Sequence, residues 1–265
     1  MIKTTLEILI CTVDNGINTV GKILLPPAPN IRYLISWQTD GMNLEIPREL
    51  VRGDVRIITL KGKGLSRNRN NAIDHATGDI CLIADDDVRY KAGKLVEIID
   101  IFNTNQTLDI AVFKYGSSSG RKNYPDYSFD LNNMPRRYYV SSIEIAFRRS
   151  SVTGKIRFNE LFGIGAPVLK SGEESIFILD ALKNKLNCIY FPIEIVTHDL
   201  PTTGTKAKTP GVLMSQGAYT YFKFPKTCYL RIVKTALFIS VKEHMSFFQT
   251  LKYLISGINY VKRIK

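Results

Sequence analysis

The sequence predicts an α/β fold, with a mostly parallel central sheet flanked by helices and a basic helical tail behind it. Three observations carry this prediction. Apolar runs of strand length alternate with amphipathic stretches through the first half of the chain. The 265 residues are 45% hydrophobic, enough for a large buried core and too apolar for a disordered chain. The charge is also lopsided. The net charge is +12, yet residues 206–265 carry eleven Lys and Arg against one acid, Glu243, leaving residues 1–205 at +2. The expected division is a domain over 1–205 and a basic amphipathic extension over 206–265.

Taken in order, Leu6–Val13 is the first strand. Its short apolar run contains Glu7 and lacks a small-residue cleavage site, so it reads as a strand and not as a signal peptide. Ile31–Trp37 follows a turn built on Pro26, Pro27 and Pro29. Val55–Leu60, Ile80–Ala84 and Leu108–Phe113 are the next three strands. A helix opens at Ser66 as N-cap and runs to Thr77, with Gly78 as its stop, and Lys94–Phe102 forms another. Gly116–Pro135 is polar and turn-rich. Ser141–Phe147 is a further strand, Glu173–Lys183 a helix, and Ile189–Val196 one or two short strands around Pro192. Leu200–Pro210 reads as a loop.

In the tail, Tyr229, Leu230, Val233, Ala236 and Leu237 recur at helical spacing, as do Phe247, Phe248, Leu251, Leu254, Ile255 and Ile258. A basic amphipathic helix pair suits an anionic membrane surface. The same helices would equally pack on the core, with their lysines in water. The aromatics follow the apolar stripe and do not interleave with the basic residues, so nucleic acid is not expected as a partner. No uncharged apolar run approaches the roughly 20 residues a spanning helix needs. Cys11, Cys81, Cys188 and Cys228 lie far apart without Cys-x-x-Cys spacing, which predicts reduced thiols in a cytoplasmic protein.

Four segments carry chemistry. Asp85-Asp86-Asp87 ends an apolar strand on the side where α/β sheets bind ligands. Alternation along an extended chain points Asp85 and Asp87 together and Asp86 away. Two close carboxylates suit Mg²⁺ or Mn²⁺ bridging to a diphosphate. A solvated turn, or Asp87 capping the next helix, also accounts for them. Arg67 and Arg69 open the helix before that strand, as an anion site does or as a polar helix face does. Gly163-x-Gly165 precedes Ser171-Gly172-Glu173-Glu174 at a helix start, where the carboxylates complement the dipole or one acts as general base. His198 follows a strand, as a structural residue or as a metal or phosphate contact.

Together, LICTVD, GLSRNRN, LIADDDV and GEES resemble the inverting glycosyltransferases of family 2, of bacterial surface-polysaccharide type, over roughly residues 5–200. The resemblance implies a GT-A fold, Rossmann-like in its sheet. It also implies a nucleotide-diphosphate sugar donor, expected to be a UDP-sugar. By the family pattern Thr12 and Asp14 lie near the base and Arg67 near the diphosphate. Asp85 contacts ribose or uridine, Asp86 belongs to the same donor-binding motif, and Asp87 holds the metal; Asp85 and, from its place at a strand end, His198 are further expected metal contacts. Glu174 falls where the family has its catalytic Asp, with Glu173 beside it. Ser36-Trp37-Gln38 stands where many members have paired aspartates, so Gln38 or Asp40 takes the base contact.

The mechanism implied is a single displacement. Glu174 deprotonates an acceptor hydroxyl while Mn²⁺ or Mg²⁺ and Arg67 offset the leaving charge. The segment around Gly163 and Gly165 is the expected acceptor wall, and the Thr202–Lys208 loop is expected to close over the diphosphate. The acceptor is expected to be a saccharide or lipid-linked saccharide, at the cytoplasmic face of a bacterial membrane. A nucleotidyltransferase, a retaining glycosyltransferase and a non-catalytic membrane-binding protein are the alternatives.

Overall fold

The computed structural model describes residues 4–40, 45–117, 122–136, 138–198 and 209–264. Its elements run β1 (Leu6–Val13), α1 (Ile17–Val20), β2 (Ile31–Gln38), β3 (Val55–Leu60), α2 (Leu65–His75), β4 (Ile80–Asp85), β5 (Arg89–Tyr90), α3 (Ala92–Thr104) and β6 (Ile110–Gly116). They continue with β7 (Phe129–Asp130), β8 (Ile145–Arg148), α4 (Arg149–Val152), α5 (Glu173–Lys183), β9 (Cys188–Thr197), α6 (Pro210–Lys223), α7 (Cys228–Glu243) and α8 (Phe247–Ile264). The chain divides into two compact units. The first is Met1–Lys63, Arg67–Phe158 and Asp180–Leu200, and the second is Gly64–Ser66, Asn159–Leu179 and Pro201–Lys265.

The first unit holds the sheet, in the order β3-β2-β1-β4-β8-β6-β9-β5, with β7 paired to β9. β1 lies between β2 and β4, parallel to both, with Leu6 opposite Ile31 on one side and Ile80 on the other. Its first seven residues are buried, as expected for a parallel strand covered on both faces. Glu7 is tolerated there because its carboxylate accepts from the Thr77 and Gly78 amides. The expected parallel sheet holds for β1–β4 and for β6 with β9. β8 runs antiparallel to both β4 and β6. No crossover helix precedes it, and a parallel return needs one.

Several boundaries move. The stretch expected as a strand over Ser141–Phe147 begins as a 3-10 turn, Ser142–Glu144. The segment around Pro192 is one strand. Its register with β6 shifts between Val112 and Tyr115, so the bulge absorbs the proline that cannot donate to the ladder. Ser66 does not cap α2. It lies inside the helix, and its hydroxyl donates to the Phe162 carbonyl at 2.7 Å.

A buried ion pair anchors the polar stretch before β8. Lys122 Nζ donates to both oxygens of Glu144 at 2.8 Å, and both side chains are nearly inaccessible. Tyr124 donates its hydroxyl to the same carboxylate, and the Ser141 amide does so at 2.7 Å. Rings of Tyr124, Tyr138 and Tyr139 lie within 4.2 to 5.0 Å of the ammonium. Burial pushes the Glu144 carboxyl above its usual range, and Lys122 opposes that shift.

The second unit contains α6, α7 and α8. The two tail helices fall where periodicity placed them, while α6 carried no such signal. Its buried positions include the small residues Ser215, Gly217 and Ala218. A Cβ on Gly217 would stand 2.0 Å from the Leu254 carbonyl oxygen, and one on Gly257 1.8 Å from that of Met214. Glycine at both positions is therefore what lets α6 and α8 cross so closely. Leu254 and Ile258 join Cys228, Ile232 and Ala236 in one apolar cluster. All four cysteines are free and buried, and burial pushes the Cys11 and Cys188 thiols up to about 12. Among the described residues no helix is long and apolar enough to cross a membrane.

Candidate active site

In the first unit the candidate residues gather at the carboxyl ends of β1, β2 and β4. Strand pairing sets this up, since Cys11 lies opposite Ser36 on one side and Asp85 on the other. The three aspartates do not alternate as an extended chain would. β4 ends at Asp85 and a turn follows, so each carboxylate finds a different partner. Asp85 Oδ1 accepts from Arg69 Nη2 at 3.0 Å. Asp86 Oδ2 accepts from the Thr12 hydroxyl at 2.5 Å. Asp87 Oδ1 lies 3.1 Å from His198 Nε2.

Each contact has a local cause. β5 folds back antiparallel along β9, with Arg89 opposite Thr197, and this brings Asp87 beside His198. The His198 amide donates to the Gly116 carbonyl at 2.9 Å, fixing that residue at the end of β6. Gly16 permits the Thr12–Asp86 contact, because a Cβ there would stand 2.4 Å from the Thr12 hydroxyl and 2.5 Å from Asp86 Oδ2. Burial raises the Asp86 carboxyl above its usual range, the Thr12 bond opposes this, and the neighbouring aspartates add to it. The N-cap position of α3 is Lys91, so Asp87 is not its N-cap.

Arg69 departs from the expected anion site. It is 1% exposed, donates to Ser142 Oγ at 2.7 Å as well as to Asp85, and lies over the Phe158 ring. It orients Asp85 from below and does not face solvent. Arg67 is exposed, and its Nη1 lies against Gly62, whose φ is +86°. Asp40 accepts from the Gly62 amide at 3.1 Å. Asp14 sits at φ +47°, its carbonyl accepting from the Trp37 indole at 2.9 Å and its carboxylate 3.2 Å from Lys63.

Buried polar atoms without a hydrogen-bond partner cluster at these strand ends. Among them are Asp14 Oδ1, Gln38 Nε2, Thr39 Oγ1 and Asn68 Oδ1. Buried polar groups are normally paired, so such a concentration marks a place where a ligand supplies the missing bonds. Asn68 was not foreseen. Its side-chain amide donates to the Thr12 carbonyl at 3.0 Å, leaving Oδ1 for a ligand. Its only sequence signal was its place between the two arginines.

A divalent cation fits these residues in one way. Among the described residues no group of three or more His, Cys, Asp and Glu side chains forms a cage. Asp87 and His198, whose Oδ1 and Nε2 lie 3.1 Å apart, are the residues that would hold such an ion. Mg²⁺ and Mn²⁺ take one or two protein ligands and complete the shell with substrate phosphate and water. Asp85 Oδ1 accepts from Arg69 in the same cluster.

In the second unit, Glu173 and Glu174 occupy the first turn of α5. Glu173 is buried and its carboxylate lies against Gly163, where a Cβ would stand 2.9 Å from Cδ. Glu174 is half-buried. Gly163 and Gly165 have φ of +101° and +86°, and the Gly163 amide donates to Leu169. The Leu65 amide donates to the Ile164 carbonyl at 2.9 Å, fixing this loop. The Thr202–Lys208 loop lies outside the described residues.

Residues 43–162 match the family model described as glycosyl transferase family 2. No curated protein matches the chain. Among solved structures it is similar to Staphylococcus aureus TarS. Against TarS 1-349 in complex with UDP the TM-score is 0.62 at 14% identity, covering 99% of this chain and 92% of that one. Against TarS 1-349 in complex with UDP-GlcNAc it is 0.59 at 15% identity, covering 96% and 88%. Against a longer TarS chain it is 0.58 at 17% identity, and there the match spans 82% of this chain and only 40% of the TarS chain. At these identities the likeness concerns the fold, an α/β sheet flanked by helices. Over residues 43–162, less than half of its length, the chain is thus similar to the family 2 glycosyltransferases, and its fold is that of the TarS chains.

Proposed function

We propose that this protein is an inverting, divalent-metal-dependent glycosyltransferase. It moves a sugar from a nucleotide-diphosphate sugar, a UDP-sugar, to an acceptor hydroxyl in bacterial surface polysaccharide or glycolipid synthesis. The observation that carries this reading is the set of partnerless buried polar atoms at the ends of β1, β2 and β4. They suit a nucleotide, which offers donors and acceptors on both base and ribose. The similar TarS chains were solved in complex with UDP and with UDP-GlcNAc, which supports a uridine donor.

The residues divide the work as follows. Gln38, with Asp40 and Asp14, faces the base, and Thr12 and Asn68 shape the floor beneath it. Asp85, held by Arg69, and Asp86, held by Thr12, meet the ribose and donor sugar. Asp87 and His198 would hold Mn²⁺ or Mg²⁺, which would supply positive charge to the diphosphate. Arg67 is exposed and adds a second positive charge to the same oxygens. Glu174 is the proposed base that takes the acceptor hydroxyl proton, with Glu173 beside it; direct displacement then inverts the anomeric centre. The loop at Gly163 and Gly165 forms the acceptor wall.

Thermal shift with UDP, GDP, dTDP and CMP, each with Mn²⁺ or EDTA, tests the donor side. A shift for UDP that needs Mn²⁺ and disappears in Asp87→Ala is expected; no shift with any nucleotide overturns the reading. Release of UDP from UDP-GlcNAc, without pyrophosphate, separates transfer from nucleotidyl transfer. The anomeric configuration of the product then decides between inversion and retention.

A further inference from the structure

The apolar residues of α7 lie on two opposite faces, and only one of them is covered. Cys228, Ile232, Ala236 and Ile239 are buried, most of them in the cluster with Leu254 and Ile258 of α8. On the other side Leu230, Val233, Leu237 and Val241 form a stripe at i, i+3, i+7 and i+11, one flank of a helix. Leu230 is 75% exposed, Leu237 52% and Val241 79%. Phe238 stands exposed at the edge of this stripe, and Phe248, at the start of α8, is 81% exposed. A contiguous exposed apolar surface of this kind marks an interaction site more often than an accident of composition.

Charge identifies the occupant. Arg231, Lys234 and Lys242 stand exposed on the same helix, with Lys226 just before it. Residues 206–265 contain a single acid, Glu243. A second copy docked on this face would bring its own lysines and arginines against these, which opposes self-association. A surface that is apolar a few ångströms down and negative at its rim accepts both features at once. The helix is also of a length and amphipathicity that lies in such a surface without spanning it.

We propose that the outer face of α7 docks onto an anionic lipid surface. Leu230, Val233, Leu237 and Val241 insert at the acyl boundary, and Arg231, Lys234 and Lys242 engage the headgroups. The proposal is independent of glycosyl transfer.

The test is co-sedimentation of the full chain with vesicles of phosphatidylcholine alone and with added phosphatidylglycerol. Binding to the anionic vesicles only, weakened by salt, is expected. Leu230→Glu/Leu237→Glu should weaken it roughly tenfold or more. Arg231→Gln and Lys234→Gln should each weaken it about fivefold. Circular dichroism and the nucleotide thermal shift should stay unchanged in every variant. Absence of binding to anionic vesicles overturns the proposal, as does binding indifferent to Leu230→Glu/Leu237→Glu. So does a concentration-dependent dimer in light scattering that the same double variant dissolves, since the occupant is then a second copy. The conservative Leu230→Ser/Leu237→Ser keeps the test open if the glutamates disturb folding.

Discussion

Two polar clusters in the first unit are built from the same kinds of residue and differ in how far the protein pairs their polar atoms. Around Glu144, the carboxylate receives Lys122, Tyr124 and the Ser141 amide, and the ammonium is ringed by three tyrosines. Around Asp85–Asp87, buried atoms at Asp14, Gln38, Thr39 and Asn68 are left without partners. A buried charge that the chain itself satisfies serves the fold. Buried polar atoms left open cost stability and persist where a ligand repays it. Titratable residues alone would not separate the two clusters; the accounting of hydrogen bonds does.

The largest expected effect lies at the completed cluster. Glu144→Ala leaves Lys122 buried without its counterion and should destabilise the protein by about 3–5 kcal/mol in urea unfolding. Lys122→Met/Glu144→Leu, which removes both charges, should recover most of that loss. If Glu144→Ala is mild, the cluster is not the anchor described. At the open cluster the pattern should reverse. Asp87→Ala should lower transfer activity roughly 10²-fold or more while leaving the melting temperature nearly unchanged, read by kinetics and calorimetry on one sample. Glu174→Gln should abolish turnover with UDP-dependent thermal shift retained, which separates acceptor activation from donor binding.

The smallest effect is a matter of sign. Folding raises the Asp86 carboxyl, chiefly through burial, so the folded state favours its protonated form. That contribution is fully present below the unfolded carboxylate range and is lost as pH rises through the folded value. Asp86→Asn should therefore raise the melting temperature at neutral pH and leave it nearly unchanged in acid, while weakening nucleotide binding. An equal rise at both pH values would show that charge is not the cause.

Much of the frame was legible in order along the chain. β1 and β3 fell on their apolar runs, α5 on its Glu-Glu start, and α7 and α8 on their periodicity. These are local signals, set by pattern and caps within one element. α6 escaped because its packing rests on Gly217 and Ser215, and small residues write no apolar stripe. β8 was visible as a strand, but its direction depends on what connects it.

The site shows the same boundary. The sequence by itself determined that a carboxylate triplet would end a buried strand, that an Arg-Asn segment would open the helix before it, and that an acidic pair would start a later helix. Only the tertiary structure decided which carboxylate meets which partner. A turn after Asp85 breaks the alternation that extended backbone would impose. β5, returning along β9, brings Asp87 to a histidine 111 positions away in the chain. Arg69 became a buried support and Arg67 stayed in solvent, although the two stand two residues apart on one helix. Residue type sets what chemistry is available, whereas burial and pairing come from contacts between distant segments, which no local pattern encodes.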